Sequence, residues 1–152
     1  MRGQINNIKR RQQIIDTSGL RYGNKTSTDL DGYIDFGNKL SVFFEIKLEG
    51  TPLEYGQRLA LERLNNDVAK SKPSLLIIAD HAIYDTDKPI PVDTCLVREY
   101  HSSGKWHKGN ANCPMVKDLI DLFLKHNKMM NEIKCNLDED GKPRDDSWMK
   151  GL

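Results

Sequence analysis

The chain lacks most of the features that announce the commoner functional classes. Its three cysteines, Cys95, Cys113 and Cys135, are widely spaced and odd in number, and no C-x-x-C pair exists. Its four histidines, His81, His101, His107 and His126, show no zinc-ligand spacing. Neither a disulfide framework nor a structural zinc site is expected. Only His101, His107 and Cys113 could converge on a metal, and reduced thiols with surface histidines are the expectation. No apolar run approaches the ~18 residues of a membrane span. The polar, basic N-terminus has no apolar segment of the signal-peptide kind. The expectation is a soluble, cytoplasmic protein without a membrane partner. Net charge is lacking too: 23 basic against 22 acidic residues leave +1, although 30% of residues are charged. No global basic field draws in a polyanion, so nucleic-acid binding would have to be confined to one face.

What is present is enough chain for one domain with a real hydrophobic core, 152 residues and 17.4 kDa. The expected domain covers 1–135. Residues 136–152 form a charged, weakly apolar tail, either packed by Trp148 or partly disordered. Ile5, Ile8, Ile14 and Ile15 at near-helical spacing in basic residues 1–17 suggest an amphipathic helix. Leu30 to Phe36 alternates, Gly37-Asn38-Lys39 reads as a turn, and Leu40 to Lys47 is rich in β-formers, which makes a hairpin. Gly50-Thr51-Pro52 breaks the second strand, and a helix follows over roughly Leu53 to Ala69. Leu75 to Ala79 reads as a strand buried on both faces. Thr94 to Tyr100 reads as another strand, with Lys105-Trp106-His107 as its hairpin partner. Pro114 opens a second helix carrying Met115, Leu119, Leu122 and Phe123 on one side. No internal repeat is visible. The fold class is α/β, a central mixed sheet flanked by helices.

The chemistry concentrates on the first hairpin. Thr28-Asp29-Leu30-Asp31-Gly32 enters one strand, and Glu45-Ile46-Lys47 lies on the next. Glu45 and Lys47 share a strand face, and so do Asp29 and Asp31 on theirs. Either aspartate can approach Glu45 across the pair, and strand geometry does not choose between them. Asp31 is preferred because Gly32 follows it, and a glycine beside a ligand lets phosphate or backbone come close. Two carboxylates can hold Mg²⁺ or Mn²⁺, with the Ile46 carbonyl as a further oxygen. Lys47 can steady an attacking hydroxide or a phosphate, and Gln57, on the following helix, can orient a water or a phosphate oxygen.

This block, Thr28-Asp29-Leu30-Asp31-Gly32, Phe43-Phe44-Glu45-Ile46-Lys47 and Gln57, resembles the PD-(D/E)XK nuclease superfamily over about residues 28–60. The spacing is most similar to the RecB-like and virus-type replication-repair branches, and residues 55–64 are similar to small phage proteins of that kind. The resemblance implies a restriction-endonuclease-like fold and a Mg²⁺- or Mn²⁺-dependent deoxyribonuclease acting on DNA, in the host cytoplasm if the chain is viral. It implies Asp31 or Asp29 with Glu45 as metal ligands, Lys47 as the catalytic lysine and Gln57 as an added polar residue. One departure is evident. Many members carry a glutamate on the first helix, whereas residues 1–22 contain none and only Asp16 can substitute.

Arg58 and Arg63 on the helix and the cluster Lys9-Arg10-Arg11 are candidates for phosphate contacts, with solvated charges as the plainer reading for the two helix arginines. Trp106 can stack on a base, although a packed tryptophan is the plainer expectation. Asp80-His81 reads as a satisfied strand end, and Glu62 and Glu99 as solvated. Two other classes compete with the nuclease: an inactive nuclease fold that binds nucleic acid or a partner protein, and an unrelated α/β interaction protein. A homodimer is compatible with all three.

Overall fold

The structure, a computed structural model, describes residues 9, 12–109, 111 and 114–129. Five strands form one sheet in the order β1-β2-β3-β4-β5: β1 (Gly32–Asp35), β2 (Ser41–Leu48), β3 (Ser74–His81), β4 (Leu96–Ser102) and β5 (Lys105–Lys108). β2 and β3 are parallel, and the other neighbours are antiparallel. Among the described residues two helices flank the sheet, α1 (Tyr55–Ala69) and α2 (Val116–His126). The fold is therefore α/β with a mixed, mostly antiparallel sheet. Residues 12–17 are not helical, and Ile14 and Ile15 are exposed. The rest of the expected N-terminal helix, apart from Lys9, lies outside the described residues, as do Cys113, Cys135 and the tail 136–152. No helix among the described residues is long and apolar enough to cross a membrane.

The two sheet faces have different covers. Val42, Leu75, Ile77 and Ala79 pack with Val116, Leu119, Ile120 and Leu124 of α2. Phe43, Leu76 and Ile78 pack with Leu61 of α1, and Leu53 and Val68 join them. β3 is central and its first six residues are buried, which is why it reads as an unbroken apolar run. The parallel β2–β3 pair needs a crossover, and α1 supplies it.

The first hairpin is shorter than its sequence pattern suggests. Gly37 and Asn38, both with φ of 62°, make its turn. The register runs from Asp35 opposite Ser41 to Gly32 opposite Phe44. Phe36 N–H donates to the Leu40 carbonyl, so the same alternation would bring Ile46 N–H to the carbonyl of Leu30. Instead Ile46 N–H donates to Asp31 Oδ2 at 2.7 Å. The Asp31 carboxylate stands in for the next main-chain acceptor and ends the ladder. Gly32 also has a role different from the expected one. A Cβ there would fall 2.0 Å from Phe44 Cζ, so the residue is glycine because the Phe44 ring lies over it.

A buried polar cluster ties α1 to the sheet. Asn65, 1% exposed, donates through Nδ2 to the His101 carbonyl and sits 2.9 Å from His101 Nδ1. Its Oδ1 accepts from Ser74 Oγ at 2.6 Å. One amide therefore joins α1, β3 and β4. His101 meets the Trp106 ring edge-on, whereas His107 stacks on Tyr100. In the register, His101 faces Trp106 and Tyr100 faces His107, so the two histidines point to opposite faces and do not converge on a metal.

Two predictions follow from this packing. Gly32→Ala should lower stability by about 1–3 kcal/mol, because the new methyl must displace Phe44. Phe44→Leu in the same chain should recover part of the loss. Urea denaturation of the double-mutant cycle reads the coupling. The second concerns His101, whose protonation burial disfavours, so its pKa lies below the ordinary 6.5. The unfolded chain then binds the proton more readily than the folded one. Stability should be full above the ordinary histidine value and should fall as pH drops from there through the depressed value. Denaturation midpoints across that window should show the slope, and His101→Gln should flatten it.

Candidate active site

Glu45 is the residue on which the site is built. Side chains on β2 alternate, so Phe43, Glu45 and Lys47 face α1 while Val42, Phe44 and Ile46 face away from it. Phe43 enters the apolar layer and Lys47 lies near the strand's end. Glu45 lies between them and is only 3% exposed. A carboxylate that buried must be paired. Its Oε1 accepts from Lys47 Nζ at 2.9 Å and from Gln57 Nε2 at 2.7 Å. Its Oε2 is buried and has no hydrogen-bond partner. Gln57 reaches it because it is the third residue of α1, and the crossover from β2 brings that first turn back over the strand.

The open space at Glu45 is a cleft of about 480 Å³. One wall is the loop from Asn24 to Asp29, and the other is the start of α1 with Gln57, Ala60 and Arg63. Glu45 and Lys47 lie between the walls. Of the two candidate aspartates, the structure brings Asp29 to this cleft. The Gln57 amide that holds Glu45 also lies 3.4 Å from the Asp29 carbonyl. Asp31, preferred from the sequence, does not line the cleft. It borders a separate hollow with Phe44, Ile46, Ile90 and Val92. The parity argument placed Asp31 opposite Glu45 on the assumption that the strand continues, and the chain leaves the ladder at that residue.

The neighbours of the cleft are mostly committed to one another. Lys47 faces Asp80 in the register, but the Asp80 carboxylate is taken by Arg98, whose Nε lies 3.0 and 3.1 Å from its two oxygens. Arg98 also donates to the Thr51 carbonyl. That leaves Lys47 to Glu45. Asp80 is thus a satisfied strand end, and His81 Nδ1 accepts from Ile83 N–H. Asp16, the substitute for a first-helix glutamate, lies outside the cleft lining. It accepts from Ser18 N–H, which holds its carboxyl below the usual range.

Arg58 does not stand free for phosphate. It pairs with Glu99 and lies 3.9 Å over the Trp106 ring. Trp106 donates through Nε1 to Glu62 at 2.8 Å. Glu62 and Glu99, expected to be solvated, are therefore partnered, and Trp106 is packed rather than open to a base. Lys9 is exposed, and Arg10 and Arg11 lie outside the described residues. Arg63, grouped with Arg58 as a phosphate candidate in the sequence, does line the cleft, and so does Lys25 on the opposite wall. Sequence reasoning missed Lys25, an isolated cation in a polar loop.

A hard divalent cation would find oxygen donors on this cleft. Mg²⁺ keeps several waters and takes only one or two protein carboxylates, and Asp29 and Glu45 are two such groups on one cleft. The unpaired Glu45 Oε2 is a buried acceptor in want of a positive partner. No group of three or more His, Cys, Asp or Glu side chains among the described residues could hold a metal, so the fit rests on the carboxylate pair, main-chain oxygen and water. No family model, curated protein or solved structure matches the chain.

Gln57 fixes the Glu45 carboxylate through one hydrogen bond, so if Glu45 held a cation, Gln57 would act on it at one remove. Gln57→Ala should weaken Mn²⁺ binding by about tenfold, against a far larger loss for Glu45→Ala. Titration calorimetry with Mn²⁺ on the two variants checks the ranking.

Proposed function

We propose that the protein is a divalent-cation-dependent nuclease that hydrolyses phosphodiester bonds of DNA. The observation that carries this reading is the Glu45 carboxylate. It is buried beside a cleft, one oxygen is gripped by Lys47 and Gln57, and the other has no partner. Asp121 is as buried in its pair with Lys117, so burial alone does not distinguish Glu45; what does is the buried Oε2 left without a partner. The resemblance of Asp29, Glu45-Ile46-Lys47 and Gln57 to the PD-(D/E)XK pattern supports the same reading.

In this reading Glu45 and Asp29 hold Mg²⁺ or Mn²⁺, with the Ile46 carbonyl as a further oxygen. The bound cation neutralises phosphate charge and acidifies a water. Lys47, which pairs with Glu45, would meet a phosphate oxygen or steady the water that attacks. Gln57 keeps the Glu45 carboxylate from turning away. The start of α1 borders the cleft, and the unpaired N–H groups of a helix's first turn favour an anion there. Asp31 acts at one remove, by fixing the main chain of Ile46 between Glu45 and Lys47.

The test separates the two aspartates. With Mn²⁺ and a mixture of single-stranded and duplex DNA, the wild type should cut, and EDTA should stop it. Glu45→Ala and Asp29→Asn should each lower the single-turnover rate by at least about a hundredfold. Asp31→Asn should keep most of the activity while losing some stability. Cutting that survives EDTA or Glu45→Ala would overturn the assignment. Loss with Asp31→Asn but not Asp29→Asn would return the ligand role to Asp31.

A further inference from the structure

We infer that the cleft takes a single DNA strand, threaded between the loop 24–28 and the first turns of α1, and does not accept an intact duplex. The inference deepens the nuclease reading and rests on it for the identity of the bound polymer. Three observations carry it. First, the reacting groups are recessed. Glu45 is 3% exposed and the Lys47 side chain 22%, beside a cleft with a wall on each side. A duplex is a stiff rod with a complementary strand attached, so its phosphates approach a recessed floor less readily. A single strand bends at each nucleotide and can enter.

Second, the cationic charge is sparse and set on the walls. Lys25 on the loop and Arg63 on the helix have no ion pair among the described residues, whereas Lys47 pairs with Glu45 and Arg58 with Glu99. Two unpaired cations on a lining that also carries Asp29, Glu45 and Glu54 suit one backbone rather than the two of a duplex. A duplex carries a charge about every 1.7 Å of its axis and is usually held by a broad basic face. With 23 basic and 22 acidic residues, the chain has little charge to spare for one. Third, Tyr55 opens α1, is 78% exposed, and directly precedes the cleft-lining Gly56 and Gln57. Tyr55 does not itself line the cleft, but an exposed ring between two residues that do, Glu54 and Gly56, gives unpaired bases a stacking surface that the bases of a duplex cannot use.

The test is fluorescence anisotropy in Ca²⁺ buffer, with a labelled thymidine strand of about 12 nucleotides and the same strand annealed to its complement. The single strand should bind at least about tenfold tighter than the duplex. Lys25→Ala, Arg63→Ala and Tyr55→Ala should each weaken strand binding by about fivefold. The two cation variants should each reduce the slope of log affinity against log salt by about 0.7, and Tyr55→Ala should leave the slope unchanged. Equal or tighter duplex binding, no binding of either probe, or three variants that all bind like the wild type would overturn the inference. Cleavage is scored separately with Mn²⁺. Strand binding that depends on these residues without any cutting supports the strand path and counts against the nuclease reading alone.

Discussion

The parallel pairing of β2 with β3 is the constraint on which the rest of this structure depends. Two parallel neighbours cannot be joined by a tight turn, so the chain must leave the sheet after Leu48 and return at Ser74. α1 fills that return and must bury its apolar side, so it lies on the face that carries Phe43 and Glu45. Gln57 is thereby placed over a carboxylate that would otherwise sit on an open sheet. Asn65, two turns further on, pins the helix to β3 and β4 with a set of directional bonds that an apolar contact could not replace. The fold and the candidate site are built by the same crossover.

The burial of Glu45 illustrates how polar groups are admitted to this layer. Glu45 draws one partner from its own strand, Lys47, and one from the helix, Gln57. The cluster of Arg58, Glu99, Trp106 and Glu62 follows the same rule farther across the sheet, drawing on α1, β4 and β5. The two clusters differ in one respect. The second has its charges and its indole N–H engaged with one another, whereas the first keeps one carboxylate oxygen in reserve.

Much of the fold was legible in the sequence because periodicity reports it directly. The β1–β2 hairpin, the buried β3, the β4–β5 pair and both helices lie within a few residues of where alternation and breakers place them. What was not legible depended on where regularity stops. The position of Asp31 follows from strand parity only if the strand persists, and it ends because the Asp31 carboxylate itself replaces a main-chain acceptor. Gly32 looked like room for a ligand, but the Phe44 ring fills that room from the neighbouring strand. Glu62 and Glu99 looked solvated because their partners lie 44 and 41 residues away, beyond the reach of any local pattern. Glu45, Lys47 and Gln57 were found because a strand face and the next helix turn are short-range relations.

The sheet's two outer strands are short, four residues each, and β5 carries lysines at both ends. Long, flat strand borders invite other chains to add to them, and such charges and brevity discourage it. The apolar alternation of the central strands would be hazardous if displayed on a border, and here it is enclosed between these two short guards. The residue that stops β1 beside the cleft thus also limits how far a foreign strand can zip along the sheet. Short, charge-flanked margins thus lower the tendency of the β-rich centre to recruit another strand.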